Sequence, residues 1–149
     1  MRVVGEKPSW RGVWLGLVVV VFGSIAALGV GVNRSPTLQF ELGYAFENGQ
    51  FHGWTPGFAK NHQKAAYWLE RAAQANHPRA QYMLGILLGH GWGVAKDDAG
   101  AVAWFTRSAR NNYPAACHHL GWMYLKGDGV QQDAELGRRL LEQASVLGR

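Results

Sequence analysis

The sequence predicts an all-α chain: three helix–turn–helix repeats stacked as an α-solenoid, preceded by one transmembrane helix. Three observations predict it. Residues 12–32 carry no charged side chain, the rest of the chain repeats itself at a spacing of 36 residues, and each repeat has apolar residues at helical spacing around a glycine-rich turn.

The apolar segment comes first. Gly12 to Val32 is 21 residues long and includes Leu17-Val18-Val19-Val20-Val21-Phe22. A bilayer core about 30 Å thick needs about 20 such residues in a helix, so the length fits a span. Trp10 and Trp14 stand where an interfacial aromatic belt would be. The competing reading is a cleaved signal peptide, with Ala27-Leu28-Gly29 as the cleavage site, but its apolar region usually runs only about 7–15 residues. Length favours the uncleaved anchor. Arg2, Lys7 and Arg11 precede the segment and Arg34 alone follows it closely. The positive-inside rule then expects a cytoplasmic N-terminus and an extracytoplasmic repeat domain, which means the periplasm in a bacterium. Gly12, Gly16, Gly23, Ala27 and Gly31 fall within about 100° on one face, where a partner membrane helix could pack closely.

The basicity of the chain sits around this segment. Its net charge is +5, yet from Ser35 onward 11 basic residues face 9 acidic ones. Nucleic-acid binding needs a clustered basic stripe, and none is visible. The single cysteine, Cys117, excludes an intramolecular disulfide, a Cys-x-x-Cys pair and a cysteine-rich zinc site.

The repeat is read by self-comparison. Pro78, Ala80, Leu84-Gly85, Gly91, Gly93-Val94 and Asp97 recur 36 residues later as Pro114, Ala116, Leu120-Gly121, Gly127, Gly129-Val130 and Asp133. Trp68, Trp104 and Leu140 follow the same spacing, and an earlier copy begins at Leu42-Gly43 with six extra residues in its loop. In the second unit Ala80, Leu84, Leu87 and Leu88 line the first helix, and Ala101, Trp104, Phe105, Ser108 and Ala109 line the second. Asn61, Asp97 and Asp133 are placed to cap the second helices. Asn76, Asn112 and Gly148 are placed to end them in the left-handed conformation. Gly43, Gly85 and Gly121 lie inside helices, which predicts a neighbouring helix backbone too close for a Cβ.

These residues resemble Sel-1-like repeats, relatives of the tetratricopeptide repeats. The pattern Ala-x3-Leu-Gly-x2-Tyr-x2-Gly-x-Gly-Val-x2-Asp is matched throughout by Ala116–Asp133, and by Ala80–Asp97 with Leu88 in the Tyr place. The first unit departs furthest, with Leu38 for Ala, Phe46 for Tyr and a turn enlarged to Asn48–Lys60. In the last unit Gly137 and Leu140 replace Ala and Trp. The resemblance implies an adaptor or scaffold, often of membrane-associated complexes. Some secreted, cysteine-rich members have been described as β-lactamases, but this chain has no Ser-x-x-Lys and no cysteine pairs.

The expected organisation is a cytoplasmic segment at 1–11, the anchor at 12–32, a linker at 33–37, and a repeat domain at 38–149. Its units are 38–78, 79–114 and 115–149. Asn33–Thr37 is so short that the domain could not reach far from a bilayer. No catalytic residue, cofactor or metal site is expected. His118, at the aromatic register of Phe40 and Tyr82, reads as a packed imidazole, and Cys117, at the register of Gln39 and Gln81, as a partly exposed thiol. Protein partners remain as the expected function: an accessory or assembly subunit bound to integral membrane subunits and lipid, or a tethered envelope scaffold for soluble or cell-wall-acting proteins. Candidate surfaces are the anchor face, the first-repeat loop with Phe51, Trp54 and Phe58, and the C-terminal edge with Leu136, Leu140 and Leu147. The loop rings could instead fold back over the first unit. The anchor face or the C-terminal edge could also pair two copies of the chain.

Overall fold

The computed structural model describes residues 35–49 and 59–149. The expected anchor, its glycine face and the loop aromatics Phe51, Trp54 and Phe58 lie outside the described residues. Within them no helix is long and apolar enough to cross a membrane.

Six helices are described: α1 (Pro36–Asn48), α2 (His62–Gln74), α3 (Pro78–His90), α4 (Asp98–Arg110), α5 (Pro114–Lys126) and α6 (Ala134–Leu147). They pair as α1–α2, α3–α4 and α5–α6, and α2 packs on α3 as α4 packs on α5. This is the expected solenoid of three hairpins. Its first helix begins at Pro36, capped by Ser35, within the stretch expected as a linker.

Local chemistry sets the boundaries. Pro36, Pro78 and Pro114 open the odd-numbered helices, where a missing N–H costs nothing. Gly49, Gly91 and Gly127 close them at φ of 70°, 71° and 72°, which favours glycine. At the even-numbered helices, Asn61 accepts from the Lys64 N–H, Asp97 from Gly100, and Asp133 from Glu135 and Leu136. Asn76 and Asn112 take the left-handed conformation at φ 65° and 57°. His77 and Tyr113, which enter the next helices, then donate back to Ala72 and Ser108. Gly148 differs: its φ is −88°, so the third unit ends without that turn.

The core is built from small residues with a few large ones. Ala65, Ala66, Leu69, Ala72, Ala73, Ala80, Leu84 and Leu87 are buried around Phe40 in one cluster. Ala101, Phe105, Ala109, Ala116, Cys117, Leu120 and Ala144 form the other. Alanine rows let helices approach closely, and each buried Leu or Phe contributes about 1.5–3 kcal/mol. The helical glycines belong to this packing in a way the sequence did not specify. A Cβ at Gly43 would stand 2.6 Å from Leu69 Cγ, at Gly85 2.6 Å from Phe105 Cε1, and at Gly121 2.7 Å from Leu141 Cγ. The close neighbour is first the large side chain of the paired helix, and only then its backbone.

Candidate interaction surface

In the first two units the inner (first) helix, α1 or α3, is partly covered by the unit that follows. Phe40 is stacked on His77, centroids 4.6 Å apart, and the Arg79 guanidinium lies 5.1 Å from the Phe40 ring and 4.9 Å from Tyr44. Tyr82, one unit on, is covered by Tyr113 and His119. In the third unit that register is held by His118 and Trp122, and no described helix covers them.

His118 is therefore exposed, contrary to the packed position expected for it. Its Nε2 accepts from Trp122 Nε1 at 3.2 Å, Trp122 is 46% exposed, and Lys126 Nζ lies 5.6 Å from the indole centroid. Position in the array, not residue type, decides burial here. Of the expected edge leucines, Leu136 and Leu147 are exposed, as is Val146 beside them, whereas Leu140 is half-buried against the second core cluster. His118 and Trp122 thus add an aromatic part of this edge that the sequence reading missed. The signal was available: the Phe40–Tyr82–His118 register assigns the site to the last inner helix.

Cys117 also departs from expectation. It is fully buried, its Sγ is 3.8 Å from the Ala109 carbonyl oxygen, and burial pushes the thiol pKa up. Gln39 and Gln81, which share its register, are buried as well. Gln81 shows how a polar residue is tolerated there: Nε2 donates to the Ala73 carbonyl and Asn76 Oδ1, each at 3.1 Å, and Oε1 accepts from Asn111 at 2.9 Å. The register is an inter-unit position, and the amide that occupies it is fully bonded.

Three other histidines make packing or capping contacts. His77 caps α3 by accepting the Ala80 N–H at 3.2 Å, and burial, followed by the Arg79 charge, lowers its pKa against the opposing pull of Glu41. His90 stacks on Trp92 at 4.5 Å, and His119 stacks on Phe105 at 4.5 Å. Among the described residues no three His, Cys, Asp or Glu side chains are grouped to hold a metal ion.

A stack of helical hairpins around a buried alanine-rich spine defines a helical-repeat protein of the solenoid class. The Sel1 repeat profile matches residues 36–77, 78–113 and 114–148, and the chain belongs to the Sel1 repeat family. Sel1 repeats are protein–protein interaction modules and are in general not catalytic.

Solved structures agree. A Sel1 repeat protein from Oxalobacter formigenes is 32% identical, with a TM-score of 0.71 over 77% of this chain and 44% of that one. A protective antigen of uropathogenic Escherichia coli strains is 33% identical, with a TM-score of 0.67 over 77% of this chain and 23% of that one. The chain spans less than half the length of either. Helicobacter pylori cysteine rich protein B, at 23% identity and a TM-score of 0.60, shares the fold over 81% of this chain and 94% of its own. A comparison with curated proteins gives no match.

Proposed function

We propose that the chain is a non-enzymatic accessory or assembly subunit of a membrane protein complex, anchored by residues 12–32 with the repeats on the extracytoplasmic side. The observation that carries this reading is the 21-residue stretch from Gly12 to Val32 without a charge, joined directly to a protein-binding repeat array. Its small-residue face, Gly12, Gly16, Gly23, Ala27 and Gly31, suits helix–helix packing, which in lipid depends on close approach. The exposed side chains of Trp122, Leu136 and Leu147 on the last two described helices are candidates for a second contact with a partner or a second copy.

Extraction of the full-length protein in mild detergent followed by affinity purification tests it. Integral membrane proteins should co-purify, and changing Gly23 and Ala27 to leucine should release them while insertion persists. Recovery of soluble partners only, unaffected by that double change, would overturn the reading. It would favour a tethered envelope scaffold for soluble or cell-wall-acting proteins instead.

A further inference from the structure

The two junctions between units are built on the same register but are not filled alike. At the first junction, Glu47 accepts from His62 Nδ1 at 2.8 Å, and the Trp92 indole stacks on His62 with centroids 5.6 Å apart. The turn glycine Gly93 sits so close that a Cβ there would fall inside the His62–Gln63 peptide. This junction is closed.

At the second junction the equivalent residues are smaller. Gly89 stands at the register of Glu47, Asp98 at that of His62 and Asp128 at that of Trp92. A Cβ on Gly129, the counterpart of Gly93, would meet only Met123 Cε at 3.5 Å and Val102 Cγ2 at 3.9 Å. The result is a cleft of about 260 Å³ lined by Gly89, Asp98, Phe105, His119, Met123 and Asp128, among others. A cavity of roughly 150 Å³ already holds benzene, so a long side chain fits this one.

The lining is amphipathic and its charge is one-sided. The floor is the His119 imidazole, which stacks over the buried Phe105 ring, with Met123 beside it. Partial burial, then His118 and His90, lower the His119 pKa against the pull of Asp128, which favours the uncharged ring. At the mouth Lys96 Nζ is 3.0 Å from Asp98 and offsets it. The Asp128 carboxylate has no ion-pair partner among the described residues. An apolar floor below an unbalanced carboxylate matches a cation on an aliphatic stem. The first junction shows the same pairing in its own packing, where Arg79 lies across Phe40 and Tyr44.

We propose that the cleft between the second and third units receives a lysine or arginine side chain of a partner polypeptide, its stem on His119 and Met123 and its charge at Asp128. This rests on reading the chain as a protein-binding module and adds the chemistry of one recognised residue.

The chain offers its own reporters. It contains three methionines, of which Met123 lines the cleft, Met83 stands at the register of His119 in the closed junction, and Met1 is at the N-terminus. The full chain, methyl-labelled at methionine and held in mild detergent, is titrated with acetyl-Gly-Arg-Gly-amide and followed by NMR. The Met123 methyl should shift saturably, in the millimolar range a single residue can reach, while Met83 and Met1 stay still. The same peptide with citrulline for arginine should leave Met123 unmoved. Asp128→Asn should weaken binding about threefold to fivefold, as loss of an exposed ion pair does. Gly89→Glu combined with Asp128→Trp rebuilds the closed junction and should abolish binding. An unmoved Met123, an equal response to citrulline, or binding unchanged in both variants would overturn the proposal. Co-purification of membrane partners is a separate readout, so failure here leaves the proposed function to its own test.

Discussion

Gly85 sets two opposing magnitudes against each other. Alanine in place of a mid-helix glycine gains about 1 kcal/mol of helix propensity. Here the new Cβ would stand 2.6 Å from Phe105, which is 3% exposed and held under the stacked His119 ring. Overpacking of that kind costs about 1–3 kcal/mol, so Gly85→Ala should destabilise, read as a lower denaturant midpoint. A raised midpoint would show that Phe105 moves freely. The Cys117 thiol is governed by burial in the same way. Thiolate is the reactive form and burial raises its pKa, so a thiol reagent should label native protein very slowly and unfolded protein at once. Rapid native labelling would contradict the buried register.

His77 links residue to element because it is the cap of α3. Its Nδ1 must be unprotonated to accept the Ala80 N–H, and burial holds its pKa below the usual 6.5. With the folded pKa below the unfolded one, the unfolded chain takes the proton first as pH falls. The neutral His77 therefore costs nothing above about pH 6.5, and stability drops as pH falls from there toward the folded pKa. Glu41, Arg79 and the stacked Phe40 are its neighbours in that balance. Melting temperatures measured from pH 7.5 to pH 5.5, a range about one unit either side of the ordinary histidine value, should fall less steeply in His77→Asn, which caps without titrating. Identical slopes would remove His77 from the balance. At α4 the cap is fixed: Asp97→Ala should cost about 1 kcal/mol in denaturant unfolding, with Asp97→Asn close to wild type. These caps were legible in the sequence because side chain and helix start are neighbours in the chain.

The array as a whole is coupled through its two junctions, where the second helix of one unit packs on the first helix of the next. Trp104 is half-buried, packs against the first core cluster and carries Arg107 on its ring at 5.1 Å. Trp104→Ala should therefore cost about 2–4 kcal/mol and lower a single cooperative transition, because the lost packing is shared between two units. Two separate transitions would mean that the units melt independently. The edge behaves oppositely. Leu136→Gln with Leu147→Gln, at positions already 36% and 37% exposed, should leave the melting temperature nearly unchanged while reducing association with a partner.

What the sequence determined by itself was everything that depends on neighbours in the chain and on the repeat period. The number of units, the helix starts at Asn61, Asp97 and Asp133, the left-handed Asn76 and Asn112, and the alanine and leucine stripes were all readable from spacing. Membership of the Sel1 repeat family followed from the same residues. Only the tertiary structure decided what depends on which unit covers which. Cys117 is buried and His118 exposed although they are adjacent, because one points into the α4–α5 interface and the other toward the uncovered edge. The closed first junction and open second one likewise required distances between residues far apart in sequence. A register says that Trp92 and Asp128 are equivalent; only packing shows that one fills its junction and the other leaves room.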